Sequence, residues 1–364
     1  MFQLIRFSSS LETTDEQQPI RNLKEDQARF LWFYKCHSFM IELKDDDEKA
    51  KKEMIELCRQ NSSNDKRSIR VLKEFEQEPL DENIENAVVW YTKNSVIGKS
   101  INEALVSGKI ERIYSYRYLI KLICQQLTKR HKTYRKSYKK NTLRLYRGQV
   151  IKSAEIDRIF NNKNGLISLN GFISTSTSES IARQFCQNRK KPGHEPVIFE
   201  IDIDMRIEHS IAFADIGDLS QYPEEEENLL SIGSVFRVES VDKTDKLYRV
   251  HLSLHQRDQS AVNDYIEHTY PSECNSSDLS VLFGKLLFDM GEYKFAIKYF
   301  KHRIECISNK DNHHRPTYLN NLGACYNETE EKELALRHYK NACQMYTQMK
   351  NHRGLGACYH NVNH

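Results

Sequence analysis

The chain has 364 residues, with 54 Lys and Arg against 51 Asp and Glu, and a formal net charge of +3 at pH 7. This length exceeds one typical domain of about 100 to 200 residues and therefore predicts two or three domains. A net charge this close to zero excludes a strong long-range field, so we expect neither nucleic acid nor a membrane surface among the partners.

The cysteines point to a reducing compartment. There are nine, an odd number, and they are scattered without a Cys-x-x-Cys pair. This pattern predicts free thiols and a cytoplasmic location. No apolar run reaches the roughly 18 residues of a membrane span, and the amino terminus develops no apolar core of signal-peptide length.

The amino-terminal third is predicted to be mostly helical. Residues 1–26 are polar and without periodicity, which predicts a flexible arm. From residue 27 to 127 apolar residues recur at helical spacing. A basic run with interleaved tyrosines follows at 129–140, a composition that fits nucleic-acid contact, attraction of an anionic ligand, or a solvated helix end. The near-zero net charge favours the solvated helix end.

The segment from residue 141 to 253 is strand-rich and carries three short motifs. Leu145-Tyr146-Arg147-Gly148 and Phe172-Ile173-Ser174-Thr175-Ser176 lie at the ends of predicted strands. Glu224-Glu225-Glu226-Glu227 closes a loop and precedes another apolar run. An arginine, a hydroxyl pair and paired carboxylates can bind an anionic ligand and stabilise a positive charge on it. A dinucleotide that loses a cationic leaving group would meet this description.

In their order and context these motifs resemble the Arg-Ser-Glu branch of the arginine-specific mono-ADP-ribosyltransferases. That family has an aromatic-Arg-Gly strand, a Ser-Thr-Ser strand, and a Glu-x-Glu before an apolar strand, here Glu225-Glu226-Glu227 before Asn228-Leu229-Leu230. Upstream, Trp90-Tyr91-Thr92 and Ile101-Asn102-Glu103-Ala104-Leu105 resemble the family's Tyr-Thr and Ile-Asn-x-x-Leu helix. The resemblance covers about residues 85–254 and implies two packed sheets with a ligand cleft between them.

The resemblance also implies the substrate and the role of each residue. NAD would donate ADP-ribose to arginine on a protein acceptor, without a metal. Glu227 would face the positive charge that develops on the ribose, and Ser174 would orient Glu227. Arg147 would bind phosphate or the adenosine ribose, and Gly148 would let the backbone approach the nicotinamide amide. Further contacts with NAD would come from Asn102, Thr175 and Ser176.

The resemblance assigns binding of the acceptor arginine to the loop that precedes Glu225 and Glu227. Residues 213–223 resemble the family's acceptor-recognition turns, in which Tyr222 would cover the substrate or simply shape a Tyr-Pro turn. Glu225 would share a face with Glu227 in an extended segment and pair with the guanidinium. The chain departs from the family at Val106, where arginine is frequent, and at 231–233, where many relatives have prolines. The run of four glutamates also permits a register shift of one residue.

The carboxy-terminal part is predicted to be helical and repetitive. Residues 255–279 are polar and predict a linker. Gly284, Ala296 and Phe300 recur 39 residues later as Gly323, Ala335 and Tyr339, and the run 322–326 recurs at 355–359. Small residues at helix crossings beside aromatics resemble tetratricopeptide repeats. Residues 280–364 would then form an incomplete array that binds a protein or peptide.

The sequence therefore predicts an α+β protein with a helical region at 27–84, a catalytic domain at 85–254 and tetratricopeptide-like repeats at 280–364. We expect an NAD-dependent protein-arginine mono-ADP-ribosyltransferase. Two alternatives stay open. One is an NAD glycohydrolase, in which water replaces the acceptor, and the other is a non-catalytic, repeat-based interaction protein.

Overall fold

The computed structural model describes residues 20–22, 38–43, 46–61, 65–93, 95–187, 192–244, 247–256, 263–264, 267–268, 279–306 and 313–363. These residues belong to two compact units. The first contains the strand at 20–22 and the described residues from 46 to 256, and the second contains a helical segment at 38–42 and those from 263 onward. None of the helices among these residues is long and apolar enough to cross a membrane.

After the strand at 20–22, the described residues of the first unit form helices up to residue 137, as predicted. They are α1 (Asp47–Asn61), α2 (Lys66–Gln77), α3 (Leu80–Thr92), α4 (Val96–Ser107), α5 (Ile110–Tyr114) and α6 (Arg117–Ser137). Local chemistry accounts for where α2 begins, because the Asp65 carboxylate accepts hydrogen bonds from the backbone N–H groups of Arg67 and Ser68, both at 3.1 Å.

The helical region, predicted to end at residue 127, extends further in the structure. A break at residues 115–116 separates α5 from α6, and α6 continues ten residues further than expected, to Ser137. The basic run at 129–140 is therefore mostly helical. The continuation is explained by what its side chains contact, described with the site below.

The strands of the first unit are β1 (Ile20–Asn22), β2 (Thr142–Lys152), β3 (Leu166–Leu169), β4 (Ile173–Ser176), β5 (His194–Asp204), β6 (Phe213–Asp215), β7 (Glu227–Leu230), β8 (Val235–Lys243) and β9 (Tyr248–Leu254). Two helices lie between them, α7 (Ser153–Phe160) and α8 (Glu179–Gln187). Strand β1 falls within the predicted flexible arm, where it pairs with β3. The other residues of that arm lie outside the described residues.

The prediction of two sheets is wrong. All the described strands form one sheet in the order β1-β3-β8-β9-β5-β2-β4-β7-β6. Its neighbours are antiparallel except β5 and β9, which are parallel. The link between the two halves is a single residue pair, Tyr146 with Ser176, through which the long strand β2 joins β4. Pairing this short leaves no signal in the sequence.

The core of the sheet is apolar, because alternate residues of the long strands are buried. Strand β2 buries Leu143 and Leu145, and β5 buries Ile203 and Ile201 at the register positions opposite them. Charged side chains occupy the intervening positions, where Arg144 pairs with Asp202. This alternation fixes the register of β2, and with it the direction of every motif side chain in that strand.

The second unit consists of paired helices, as predicted. They are α9 (Ser280–Asp289), α10 (Tyr293–Cys306), α11 (Arg315–Glu328), α12 (Lys332–Gln348) and α13 (His352–Asn363). A Cβ on Gly284 would lie 2.3 Å from the Phe300 ring, and a Cβ on Gly323 would lie 2.6 Å from the Tyr339 ring. The recurring glycine and aromatic therefore mark helix crossings, which confirms the interpretation as repeats.

The third occurrence of the motif is only partly equivalent to the second. Cys358 is buried like Cys325, but Gly356 has open space around it and Tyr359 is 55% exposed. The glycine that meets an aromatic ring here is Gly354, on which a Cβ would lie 2.4 Å from Tyr346 of the preceding helix.

The linker predicted at 255–279 lies mostly outside the described residues, and the predicted domain boundaries stay predictions.

Candidate active site

The Tyr-Arg-Gly motif lies in the middle of β2 and not, as predicted, at the end of a strand. Together with residues of the other two motifs it lines a cavity of about 800 Å³. This volume is within the range of small-molecule and cofactor sites, which span about 300 to 1,000 Å³. Its lining combines one guanidinium, two carboxylates, an imidazole, several hydroxyls and an apolar patch. The lining residues are Tyr146, Arg147, Gly148, Gln149, Val150, Ser174, Thr175, Ser176, Ile181, Ala182, Phe185, His194, Glu225 and Glu227.

Three neighbouring strands supply one row of polar side chains. Tyr146 of β2 pairs with Ser176 of β4, and Ser176 pairs with Glu227 of β7. Residues directly opposite in antiparallel strands share a face, so all three side chains project to the same side of the sheet. The single bridge between β2 and β4 therefore has a functional consequence, since it aligns the Tyr-Arg-Gly and Ser-Thr-Ser motifs with the carboxylate.

Ser174 and Glu227 are hydrogen-bonded. Ser174 lies opposite Leu229, two residues from Glu227, so the two side chains are diagonal neighbours on the same face. Ser174 Oγ donates to Glu227 Oε1 at 2.5 Å. Glu227 is buried, with 8% of its surface exposed. A buried carboxylate fixed at one oxygen leaves its other oxygen available to a ligand in the cavity.

Arg147 is held from two sides. Its Nη1 donates to the carbonyl oxygen of Ser174 at 2.8 Å, and its Nε lies 3.5 Å from Gln149 Oε1. Burial lowers the pKa of Arg147, while the nearby Tyr91 and Glu227 act in the opposite direction. An arginine stays charged at neutral pH regardless. The site therefore presents a fixed cation beside a fixed anion.

Gly148 is required by packing. A Cβ at this position would lie 1.7 Å from the carbonyl oxygen of Ala182 in α8, a distance that no side chain tolerates. The glycine thus lets α8 lie directly on strand β2. This requirement is independent of the predicted approach of nicotinamide, although Gly148 also lines the cavity.

The backbone that positions the two carboxylates, Glu225 and Glu227, differs from the predicted one. Glu225 ends a short 3-10 helix (Pro223–Glu225), and Glu226 has a left-handed backbone with φ of 46°. The segment is therefore not extended, which was the premise for placing both side chains on one face. The left-handed turn instead brings Glu225 and Glu227 to the same cavity and directs Glu226 away from it. Residues with φ > 0 are strongly enriched in glycine and asparagine, so a glutamate here could not be foreseen.

The carboxyl of Glu225 is more easily protonated than that of an ordinary glutamate. Partial burial raises the pKa of its carboxyl, and the neighbouring charges of Glu227 and Glu224 raise it further. Like charges held close together oppose each other's ionisation. A cationic group that enters between Glu225 and Glu227 would relieve this repulsion.

The loop that leads to the carboxylates is tied to the end of helix α6. Arg130 donates to the carbonyl oxygen of Asp215 at 3.2 Å and forms an ion pair with Asp218. His131 Nδ1 lies 2.9 Å from the carbonyl oxygen of Phe213, and Arg135 donates to that of Ile207 at 2.5 Å. Part of the basic run therefore holds this loop through hydrogen bonds and an ion pair, a structural role that its composition alone did not indicate.

Helix α8 supplies cavity residues that the sequence did not single out, and salt bridges hold it in place. Arg249 of β9 pairs with Glu179 at 2.7 Å and with Glu200 of β5 at 2.6 Å. This fixes the first turn of α8, so that Ile181, Ala182 and Phe185 reach the cavity. Phe185 is 42% exposed, and a large apolar side chain on the open face of an amphipathic helix is the one signal that identifies it.

Two predicted site residues are not among the described residues that line the cavity. Asn102 accepts a hydrogen bond of 2.7 Å from the hydroxyl of Tyr91, which itself packs edge-on against Phe172. Tyr222 is 43% exposed at the start of the 3-10 turn. Contacts of either residue with a ligand stay predictions. In the described part of the chain, no group of three or more His, Cys, Asp or Glu side chains could hold a metal ion.

The chain belongs to the NAD:arginine ADP-ribosyltransferase family, whose model matches residues 35–260. A tetratricopeptide repeat model matches residues 277–348. The predicted family is therefore confirmed, and the reaction with NAD and arginine is taken up as a proposal below. A comparison with curated protein sequences gives no match.

Solved ADP-ribosyltransferase structures are similar to this chain at low identity. HopU1 of Pseudomonas syringae pv. Tomato DC3000 is 22% identical over 43% of this chain and 64% of its own, with a TM-score of 0.32. Plx2a from Paenibacillus larvae is 16% identical over 48% and 87%, with a TM-score of 0.34. The C3 exoenzyme of Clostridium limosum is 16% identical over 56% and 95%, with a TM-score of 0.37. The chain thus spans slightly less than two thirds of HopU1.

Proposed function

We propose that this chain is an active mono-ADP-ribosyltransferase that binds NAD in the cavity of the first unit and modifies arginine on a protein. The observation that carries the proposal is the fixed group formed by Arg147, Ser174 and Glu227. Each of the three motifs contributes one member, and the hydrogen bonds between them order the group without any ligand.

Glu227 is assigned to the ribose of NAD. Cleavage of the bond from ribose C1′ to nicotinamide develops positive charge on the sugar, and a fixed carboxylate stabilises that charge best if it needs no reorganisation. Ser174 supplies this preorganisation, because its hydroxyl occupies one oxygen of Glu227 and restricts the rotation of the side chain. The other oxygen can accept from a ribose hydroxyl.

Arg147 is assigned to the pyrophosphate or the adenosine ribose. Its contacts with the main chain of Ser174 and with Gln149 fix the plane of the guanidinium, and a planar fork suits phosphate oxygens. The apolar side chains of α8 offer the opposite wall for a flat ring. The hydroxyls of Thr175 and Ser176 complete the polar edge of the cavity, as the family resemblance implies.

Glu225 is assigned to the acceptor. It shares the cavity with Glu227, and the negative charges of both favour a guanidinium between them. A carboxylate pairs with a guanidinium through two parallel hydrogen bonds, which would direct the arginine nitrogen toward ribose C1′. Tyr222, exposed two positions before Glu224, would cover the incoming side chain.

The second unit is assigned to the choice of a protein partner. Its glycine-aromatic helix crossings are those of tetratricopeptide repeats, which present an extended surface to a protein or peptide. We also retain the proposal of a reducing, cytoplasmic location. It is supported by Cys124, Cys186, Cys325, Cys343 and Cys358, which form no disulfide within the described part of the chain.

An NAD glycohydrolase is the second candidate, because Glu227 would serve water as well as arginine. The decisive experiment is incubation with NAD labelled on the ADP-ribose part and with polyarginine, while free nicotinamide and polymer-bound label are measured together. We expect both to accumulate. Nicotinamide without bound label would indicate hydrolysis, and neither product from the folded protein would indicate a non-catalytic interaction protein.

A further inference from the structure

Glu226 lies between the two cavity carboxylates and has an unusual backbone. Its φ of 46° is a left-handed conformation, which L-residues other than asparagine and aspartate rarely adopt. Glycine would adopt it without strain. A strained non-glycine residue persists only where the surrounding structure holds it, so the side chain must contribute something that glycine would not.

The side chain of Glu226 is held by Thr177. The Thr177 hydroxyl donates to Glu226 Oε2, and the Thr177 backbone N–H approaches the Glu226 carbonyl oxygen at 3.4 Å. Asn228 Nδ2 reaches the same carbonyl oxygen at 3.4 Å. These contacts lie one residue beyond the last pair of the β4–β7 ladder, which joins Ser176 to Glu227.

We propose that Thr177 and Glu226 form a clasp that positions Glu225 for the acceptor arginine. The clasp fixes the left-handed turn, and that turn brings Glu225 back to the cavity that already contains Glu227. Thr177 directly follows the Ser-Thr-Ser motif, so the strand that orients the ribose carboxylate also sets the place of the acceptor carboxylate. The proposal rests on the acceptor role given to Glu225 above.

Loss of the clasp should weaken transfer to arginine while it leaves hydrolysis of NAD nearly intact. Glu227 is fixed by Ser174 and by the β4–β7 ladder, so loss of the clasp leaves NAD cleavage by water nearly unchanged. Glu225 ends the 3-10 helix directly before Glu226, so loss of the clasp lets it leave the acceptor subsite. We expect the KM for an arginine analogue to rise while kcat changes little, because the lost interaction orients the acceptor before the reaction.

The test uses the full chain with NAD and agmatine, in Thr177→Val and Glu226→Ala and in the matched controls Thr177→Ser and Glu226→Gln. The controls keep a hydroxyl donor and an oxygen acceptor. Loss of one hydrogen bond to a charged group typically gives about a tenfold effect, so we expect the KM for agmatine to rise about tenfold in the first pair and about twofold or less in the second. Hydrolysis of NAD without agmatine should change less than twofold throughout.

A second readout does not depend on chemistry. Hydrogen exchange of the backbone amides at 222–230 should be faster in Thr177→Val and Glu226→Ala than in wild type and the controls. Glu226→Gly, which removes strain and side chain together, should exchange as fast as Glu226→Ala. Unchanged exchange, or an unchanged KM for agmatine, would overturn the clasp. A wild-type protein that hydrolyses NAD but never labels agmatine would instead refute the acceptor role, and the exchange data would still decide whether the clasp orders this segment.

Discussion

Ser174 and Glu227 are joined by a hydrogen bond of 2.5 Å between neighbouring strands, and this pair defines the centre of the site. The bond exists because the β4–β7 register places the two residues diagonally on one face. A shift of the register by one residue would turn Glu227 to the other face and bring Glu226 into its place. The pairing of β4 with β7 therefore decides which of the four consecutive glutamates lies beside Ser174.

Glu227→Gln should keep NAD binding and lose nicotinamide release. The amide preserves the shape of the side chain but cannot stabilise positive charge on the ribose, and removal of one such group costs about 10² to 10³ in rate, or roughly 3 to 4 kcal/mol. Release of nicotinamide from NAD measures the effect, and NAD binding by calorimetry is the control. A near-wild-type rate in a folded variant would contradict the assignment.

Ser174→Ala should lower kcat for NAD cleavage by less than Glu227→Gln does. The variant leaves the carboxylate in place but removes the hydrogen bond that orients it, and a hydrogen bond to a charged group is worth about 1.5 to 3 kcal/mol. We expect a loss of roughly 10-fold to 100-fold in kcat. Ser174→Thr, which retains the hydroxyl, is the matched variant. An unchanged kcat in Ser174→Ala would mean that the strands alone orient Glu227.

The ratio of transfer to hydrolysis should fall as the pH is lowered. The pKa of Glu225 is raised above its ordinary value of 4.5, and only the ionised carboxylate pairs with a guanidinium. Protonation therefore removes acceptor binding at a higher pH than an ordinary glutamate would. Glu224→Gln removes one of the charges that raise this pKa, so it should shift the midpoint of the ratio to lower pH. A midpoint that does not move would contradict the role given to Glu224.

The repeats should tolerate alanine at one glycine and not at another. Gly323→Ala places a Cβ 2.6 Å from the Tyr339 ring, and overpacking of this kind costs about 1 to 3 kcal/mol. Gly356→Ala meets open space on the helix α13 and should be neutral or stabilising by up to about 1 kcal/mol. Thermal unfolding of the full chain measures both. Equal effects would contradict the helix crossing at Gly323.

A chain that ends at residue 277 should still cleave NAD, because every described residue lining the cavity belongs to the first unit. The helical segment at 38–42 belongs with the second unit, however, so removal of the repeats would expose Phe39, Met40 and Leu43. The shortened chain should therefore be more soluble with Phe39→Ser and Leu43→Ser. Loss of NAD cleavage in both shortened chains would show that the repeats complete the catalytic unit.

The sequence predicted the motif residues of the site but not the residues packed around them. Arg147, Ser174 and Glu227 were found because each lies at a fixed position in a short local pattern. Phe185 and His194 enter the cavity through the packing of α8 and the pairing of β5 with β2, which are long-range contacts without a local signal. Local patterns therefore identify the chemistry, and tertiary contacts complete the cavity.

Two errors in the prediction have physical causes. The sheet is single because one residue pair, Tyr146 with Ser176, joins its halves, and no pattern in either strand encodes that pairing. The sequence predicts an extended Glu-x-Glu segment, because alternate residues of a strand share a face. The structure reaches the same result through a left-handed Glu226, a conformation that the residue type does not favour.

The most direct test of the account compares wild type with Glu225→Gln at neutral pH, with NAD and agmatine, and measures free nicotinamide and ADP-ribosylated agmatine in the same sample. The amide keeps the size of the side chain but removes the charge that pairs with a guanidinium. The account predicts that Glu225→Gln loses most of its transfer to agmatine and retains NAD hydrolysis. If both products fall by the same factor, Glu225 supports Glu227 and does not select the acceptor, which would contradict the division of roles between the two carboxylates.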